Sequence, residues 1–350
     1  MNTQFVKKTS ILLIALGLFA SCSSDNTSNA FNNQKDYATE ITNITNNVII
    51  ATYNNLNNKA QAMVTLAQTF TVGNATGLES LRQSWRDARE PWEQSEGFLY
   101  GPVDTEGIDP AIDSWPLDLT FLNTVLGGTD PITDAFLASQ NNNAKGFHTI
   151  EYLLWGIDGN KTAADFTARE IEYLKAATKD LQNNTQALYD GWIASSGNFS
   201  AQFLSLPSTN YASQKNVLQE ITDGVSIIAD EVANAKIEVP LNGNSGSAAP
   251  DQEESRFAHN SKADFVNNMK SIQNIYLGGL STVVAASNSA LDTTIKTQIT
   301  DAIDAINAIP GTFTDAIINN RSAVQNAQMK VNTLFNTTEN ELKPFMNSLN

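Results

Sequence analysis

The chain has 350 residues, 41% of them hydrophobic, with 37 acidic and 21 basic side chains and a formal charge of −16. That apolar content is enough to bury a sizeable core and excludes a disordered chain, while the acidic balance leaves no basic face to neutralise nucleic-acid phosphates. A single cysteine, Cys22, rules out a disulfide framework and a cysteine-rich zinc site, and only two histidines, His148 and His259, are available for imidazole chemistry.

The chain opens on a targeting segment. Lys7-Lys8 precede the apolar run Ile11–Phe19 and the small residues Ala20-Ser21, and the run is too short for the roughly 20 residues that span a bilayer. Leu18-Phe19-Ala20-Ser21-Cys22 resembles a bacterial lipobox. Residues 1–21 would then be a cleaved lipoprotein signal peptide, Cys22 an acylated N-terminus, and residues 22–35 a flexible lipidated tether. The plainer alternative is a secretory signal with an incidental cysteine. Ser23, directly after Cys22, is compatible with outer-membrane sorting, so the expected location is the bacterial envelope, facing the periplasm or exposed at the surface.

Beyond residue 35 the apolar spacing is helical. Ile41, Ile44, Val48, Ile49, Tyr53, Leu56, Ala60, Met63, Val64 and Leu66 follow the period of a helix with one buried face. Residues 78–99 continue it, with Pro91 expected to kink or interrupt the helix. Gly101, Pro102, Gly107, Pro110 and Pro116 make residues 100–117 an ordered loop. Asp130-Pro131 reads as a helix cap with Pro at the first helical position. Helical patterns then cover 146–156, 163–193, 214–237, 253–286 and 291–309, and a pair at 314–334 and 338–349 follows. Residues 195–212 and, above all, 240–251 break the pattern and read as junctions or linkers. No run alternates as a strand would. The expectation is an all-α protein of two helical-bundle-like domains, residues 36–200 and 210–350.

The sharpest local feature is Gly146-Phe147-His148-Thr149-Ile150-Glu151. His148 and Glu151 project from one face of a helix, where an imidazole and a carboxylate can ligate one metal ion, and Gly146 would let another segment approach closely. A hydrogen-bonded structural pair is the more frequent outcome of that spacing. It is neither the two-histidine zinc-peptidase motif nor the doubled Glu-x-x-His of di-iron bundles, since Arg256 stands three residues before His259. In Ser84–Glu96, Trp85 and Trp92 lie two turns apart and Arg89 can meet Glu93. This reads as a tryptophan-striped amphipathic helix or as Glu93 or Glu96 beside a metal, with Arg89 holding a carboxylate. Asp104, Asp109, Asp113 and Asp118 can converge on a hard cation or serve as caps and turn formers. Glu253-Glu254-Ser255-Arg256-Phe257 opens a helix, where the dipole favours acidic residues. No nucleophile elbow, phosphate-cradling loop or dinucleotide fingerprint occurs.

Together these segments resemble the imelysin family of bacterial envelope proteins. The resemblance is carried by Trp85-Arg86-Asp87-Ala88-Arg89 with Pro91-Trp92-Glu93 and Ser95-Glu96, then by Gly101-Pro102-Val103-Asp104. Asp109-Pro110 to Asp113-Ser114-Trp115-Pro116, the Gly-x-His-x-x-Glu of Gly146, His148 and Glu151, and Glu254-Ser255-Arg256-Phe257 follow in the family's order. It spans most of residues 35–350 and is nearer to the iron-regulated branch than to the ferrous-transport branch. The resemblance implies two bundle-like helical domains with a site near their interface, a role in iron acquisition, and His148 and Glu151 as metal-binding residues.

Some family members are classified as insulin-cleaving metallopeptidases. A hydrolytic zinc site needs about three protein ligands, an open position and a base, and only His148 and Glu151 are local. Further ligands would come from Glu93, Glu96, Asp104, Asp113 and Glu254, with Arg89, Trp92, Ser114, Trp115, Gly146, Ser255 and Arg256 in support. The expectation is a membrane-anchored envelope protein that binds iron or an iron-bearing ligand; imidazole and carboxylate suit iron, zinc or manganese, and the resemblance favours iron. The alternatives are a metallopeptidase using His148-x-x-Glu151 and a non-catalytic scaffold for an envelope transporter or haem carrier. The expected partners are the iron species and the lipid bilayer, with no nucleic acid.

Overall fold

The computed structural model describes residues 35–350, so the expected signal peptide, Cys22 and the expected tether through residue 34 lie outside the described residues. Among these the architecture is all-α: helices follow one another with no strand, and a lone bridge joins Asn244 to Ser247. None of these helices is long and apolar enough to cross a membrane.

The N-terminal half is built on three long helices. Ala38–Asn43, the π-helical Ile44–Ile50 and Ala51–Thr69 run on as one rod, α1. Ala75–Glu93 forms α2, begun by Asn74, whose side chain accepts from Gly77 N. Its Leu78, Leu81, Trp85, Ala88 and Trp92 are buried at the three- and four-residue spacing that packs one helical face. Pro91 falls in the last turn of α2; its ring costs the bond to the Asp87 carbonyl, and the helix nevertheless runs on to Glu93. Ile108–Asp113 (α3) and Gly146–Trp155 (α4) are short; Ala168–Trp192 (α5) starts on a reciprocal cap between Thr167 and Glu170. α1 packs on α2 and α5, and α4 sits against α2, α3 and α5.

The C-terminal half is assembled from Gln214–Glu231 continued by the π-helical Val232–Ile237 (α6), Ser261–Ile275 (α7), Ser289–Asn307 (α8) and Arg321–Thr337 (α9). α7 packs on α6 and α8 and also on α2, so the α2–α7 contact joins the two halves. One continuous apolar core runs through both.

Several segments differ from the sequence reading. The 100–117 loop contains α3 and the turn Pro102–Thr105, and Leu119–Gly127 is a helix capped by Asp118. The helix expected at Asp130-Pro131 starts instead at Asp134, because the Thr133 hydroxyl caps Phe136 N while the Asp130 carbonyl is taken by Arg169. Residues 253–260 form a turn and α7 begins only at Ser261; Ser255 and His259 hold left-handed φ values of 52°. The 240–251 stretch is pinned: Arg321 donates to the Leu241 carbonyl at 2.7 Å and to Asn242 Oδ1 at 2.6 Å.

Candidate metal site

The end of α2 presents Arg89, Trp92 and Glu93 toward the junction of the two halves, and the turn after it adds Glu96. α3 ends at Asp113, and α4 brings His148 and Glu151. Gly146 makes that approach possible: with φ at +77° and no side chain, it lies where a Cβ would collide with the Ile112 carbonyl. From the other half come Lys236 on α6, Glu254 in the 253–260 turn, and Asp264 and Asn268 on α7.

Arg89 is the hub and is fully buried. Nη1 meets Asp113 Oδ1, and Nη2 lies 2.5 Å from Glu93 Oε1 and 2.9 Å from Glu254 Oε1. Nε is 3.6 Å from Asp264 Oδ2, and the guanidinium sits over the Phe147 ring. Buried ions persist only when so paired. Trp92 Nε1 donates to Asp113 Oδ2 at 2.6 Å, fixing the second oxygen of that carboxylate. Asn268 Nδ2 donates to Glu93 Oε2 at 2.6 Å and to Glu96 Oε2 at 3.1 Å.

His148 is equally buried and engaged through both ring nitrogens. Nδ1 is 3.0 Å from Glu151 Oε2, while Nε2 is 3.1 Å from Asp113 Oδ1 and 3.4 Å from Glu254 Oε1. Glu151 Oε1 accepts from Ala258 N at 2.8 Å, so both its oxygens are used. Trp115 closes over the imidazole edge with ring centroids 4.9 Å apart.

The charges are strongly perturbed. Burial alone would raise the Asp113 carboxyl, but Arg89 and His148 outweigh it and hold it well below the ordinary range. Glu254 is likewise pulled well down, with Lys236, His148 and Arg89 overcoming burial. Burial disfavours the His148 imidazolium, yet hydrogen bonds to Asp113, Glu151 and Glu254 raise it well above its usual value. Burial pushes Glu93 up to about 8 despite Arg89 and Lys236, and burial with Glu93 beside it pushes Glu96 well up. Perturbation by burial and specific partners is characteristic of functional sites.

Asp113, His148 and Glu254 each offer a ligand atom within 4.8 Å of the others, and so do Glu93, Glu96 and Asp113. The donor chemistry fits a transition metal. At bond lengths of about 2.1 Å, neighbouring donors stand about 3.0 Å apart in an octahedron and about 3.4 Å in a tetrahedron. The His148 Nε2 separations of 3.1 and 3.4 Å fall in that interval. A cavity of about 470 Å³ adjoins the group and is lined by Glu96, Asp109, Asp113, Trp115, Lys236 and Glu254 among others.

The imelysin family model matches residues 49–340. The chain belongs to the imelysin family. An iron-regulated protein A of Synechococcus elongatus is 31% identical over 301 residues, covering 82% of this chain and 79% of that protein. A crystal structure from Parabacteroides distasonis, described as an iron-regulated protein A precursor, is 26% identical with a TM-score of 0.80, covering 90% of this chain and 97% of that one. An imelysin-like protein from Psychrobacter arcticum shares the fold at 18% identity, with a TM-score of 0.75 and 90% and 98% coverage.

In this imelysin chain the structure gathers Arg89, Trp92, Glu93, Glu96, Asp113, Trp115, His148, Glu151 and Glu254. Their roles differ from the sequence reading at several points. Glu151 does not join the Asp113–His148–Glu254 group; it stands on the far nitrogen and orients the imidazole. Asp104 is exposed and outside both groups, because the turn Pro102–Thr105 leaves it on the surface. Ser114 binds the Pro110 carbonyl at 2.7 Å and shapes the end of α3. Arg256 stacks on Phe257, and Ser255 supplies the left-handed residue of the turn that delivers Glu254. His259 is exposed and takes no part. Sequence reasoning missed Lys236, Asp264 and Asn268. Each is a polar residue among buried apolar neighbours, such as Asp264 and Asn268 beside Phe265, Met269 and Ile272, which is the signal that could have found them.

Proposed function

We propose that this imelysin chain takes iron as cargo in the bacterial cell envelope, held at a site made by Asp113, His148 and Glu254. The carrying observation is the placement of one buried imidazole nitrogen between two carboxylates from different halves of the fold, at the edge of an open cavity. Imidazole with carboxylates suits iron, and also manganese or zinc. The similarity to a protein described as iron-regulated protein A favours iron among them. Arg89 and Lys236 keep the ligand carboxylates ionised and oriented, and Glu151 fixes the ring. Glu151 is fully buried and does not line the cavity, where a base would have to meet a substrate, which sets a peptidase reading behind a binding one. The lipobox at Leu18–Cys22 supports lipid anchoring, and Ser23 supports the outer membrane.

The test titrates iron, manganese and zinc in parallel against the protein and a His148→Ala/Glu254→Gln variant. Tight binding should weaken at least about a hundredfold in the variant, more than loss of an orienting partner gives. Equal, weak binding in both would remove the metal site. Mass spectrometry of the native protein should find Cys22 acylated; an unmodified Cys22 would remove the anchor.

A further inference from the structure

The cavity beside His148 has a one-sided wall. Five acidic side chains line it, those of Glu96, Asp109, Asp113, Glu231 and Glu254, against one ammonium, that of Lys236; burial pushes Glu96 well up and Asp109 up to about 6, so the negative charge rests chiefly on the others. That ammonium is already committed: Nζ lies 3.0 Å from Glu254 Oε2, 3.3 Å from Glu96 Oε2 and 3.8 Å from Glu231 Oε1. Arg89, the other fixed cation of the site, is fully buried and does not line the cavity. Anything that enters meets carboxylates and no free positive charge.

Exposure also differs sharply among the charged groups in and behind this wall. The Glu231 side chain is 44% exposed, Glu254 17%, Asp113 6% and His148 0%. Glu231 is therefore the most exposed of the lining carboxylates and stands at the mouth, while His148 is fully buried, does not line the cavity and is reached only past Asp113 and Glu254. A six-water shell occupies about 180 Å³ at about 30 Å³ per molecule, so a hydrated ion fits within about 470 Å³. A cleft lined by one sign of charge concentrates ions of the other sign and speeds their entry.

Resting on the reading of this site as an iron-cargo site, we propose that the cargo enters as an aquated divalent cation and not as an anionic chelate. Glu231 and Asp109, which belong to neither candidate ligand group, select it by charge. A chelate carrying free carboxylates, ferric citrate for example, would set like charges against this wall with no cation to receive them.

The experiment uses the full chain and three probes: ferrous iron without oxygen, Mn²⁺, and ferric citrate. Calorimetry gives affinities and stopped-flow gives association rates for the wild type and a Glu231→Gln/Asp109→Asn variant. The two aquated ions should bind the wild type and ferric citrate should not bind at matched concentration. In the variant, association at low salt should slow about tenfold, with dissociation unchanged, and the gap should close as added salt screens the mouth. Both substitutions are near-isosteric, and circular dichroism checks the fold. Ferric citrate binding as tightly as the free ions, or an association rate indifferent to both substitutions and salt, would overturn the proposal. If no probe binds the wild type at all, the iron-cargo reading itself falls, and this inference with it.

Discussion

Replacing Arg89 with Met should cost about 3–5 kcal/mol of folding stability at neutral pH, because it strands buried carboxylates that have lost their partner. Glu93, Asp113, Glu254 and Asp264 all face that one guanidinium. The loss is a large fraction of the roughly 5–15 kcal/mol that holds a typical domain together, and urea denaturation would read it directly. Arg89→Lys should recover only part of it, since a point charge cannot serve several carboxylates arranged around a planar fork. The pH dependence has a definite sign. Asp113 and Glu254 are held below their ordinary values in the native protein. Their contribution is present above the unfolded carboxyl value and is lost as pH falls through the lower folded values. The gap between wild type and Arg89→Met should therefore be widest near neutrality and narrow on acidification. A loss below about 1 kcal/mol at pH 7, in the range of an exposed ion pair, would show that Arg89 is not the hub.

Metal affinity should rise steeply with pH. Burial opposes the imidazolium, but hydrogen bonds to Asp113, Glu151 and Glu254 raise His148 above its usual value, which favours a proton on Nε2. A metal ion at Nε2 has to displace that proton. Affinity should then improve about tenfold per pH unit until the raised folded value is passed, with one proton released per ion bound. Calorimetry in buffers of different ionisation enthalpy counts that proton. An affinity unchanged between about pH 6 and pH 8 would place the metal elsewhere. Stability carries the complementary sign. The raised folded value gives the metal-free protein a contribution that is fully present below the unfolded histidine value and fades as pH climbs through the folded one. Bound metal should compensate for that fading, so loaded and empty protein should diverge as the solution becomes alkaline.

The helices were legible because their apolar residues repeat at three and four over long stretches, as on α1, α2 and α5. What escaped was set by side chains reaching across the sequence. Residues 253–260 have the acidic residues of a helix start, yet Glu253 is drawn inward by Ser261 and Thr314, and Glu254 by Arg89 and Lys236. The helix gives way to a turn. The start at Asp130-Pro131 lost to a better-placed hydroxyl three residues on. His148 and Glu151 were visible as neighbours on one helical face, but spacing could not say which imidazole nitrogen each partner would take. The ligand from the opposite half could be named only by motif and residue type, and Lys236, Asp264 and Asn268 carry no local pattern at all.

The site's chain positions bear on when it can be filled. His148 and Glu254 are 106 residues apart, and Arg89 and Glu254 are 165 apart. A polypeptide emerging N-terminus first presents Asp113 and His148 long before the third donor exists, and closing so long a loop has an entropic cost that only the packed helices repay. A metal ion bound at the proposed site would have to wait for the last third of the protein. On the proposed reading of the site, the ion captured first would be one abundant where folding finishes, so the compartment of folding, as well as the ligand set, would shape which metal is bound.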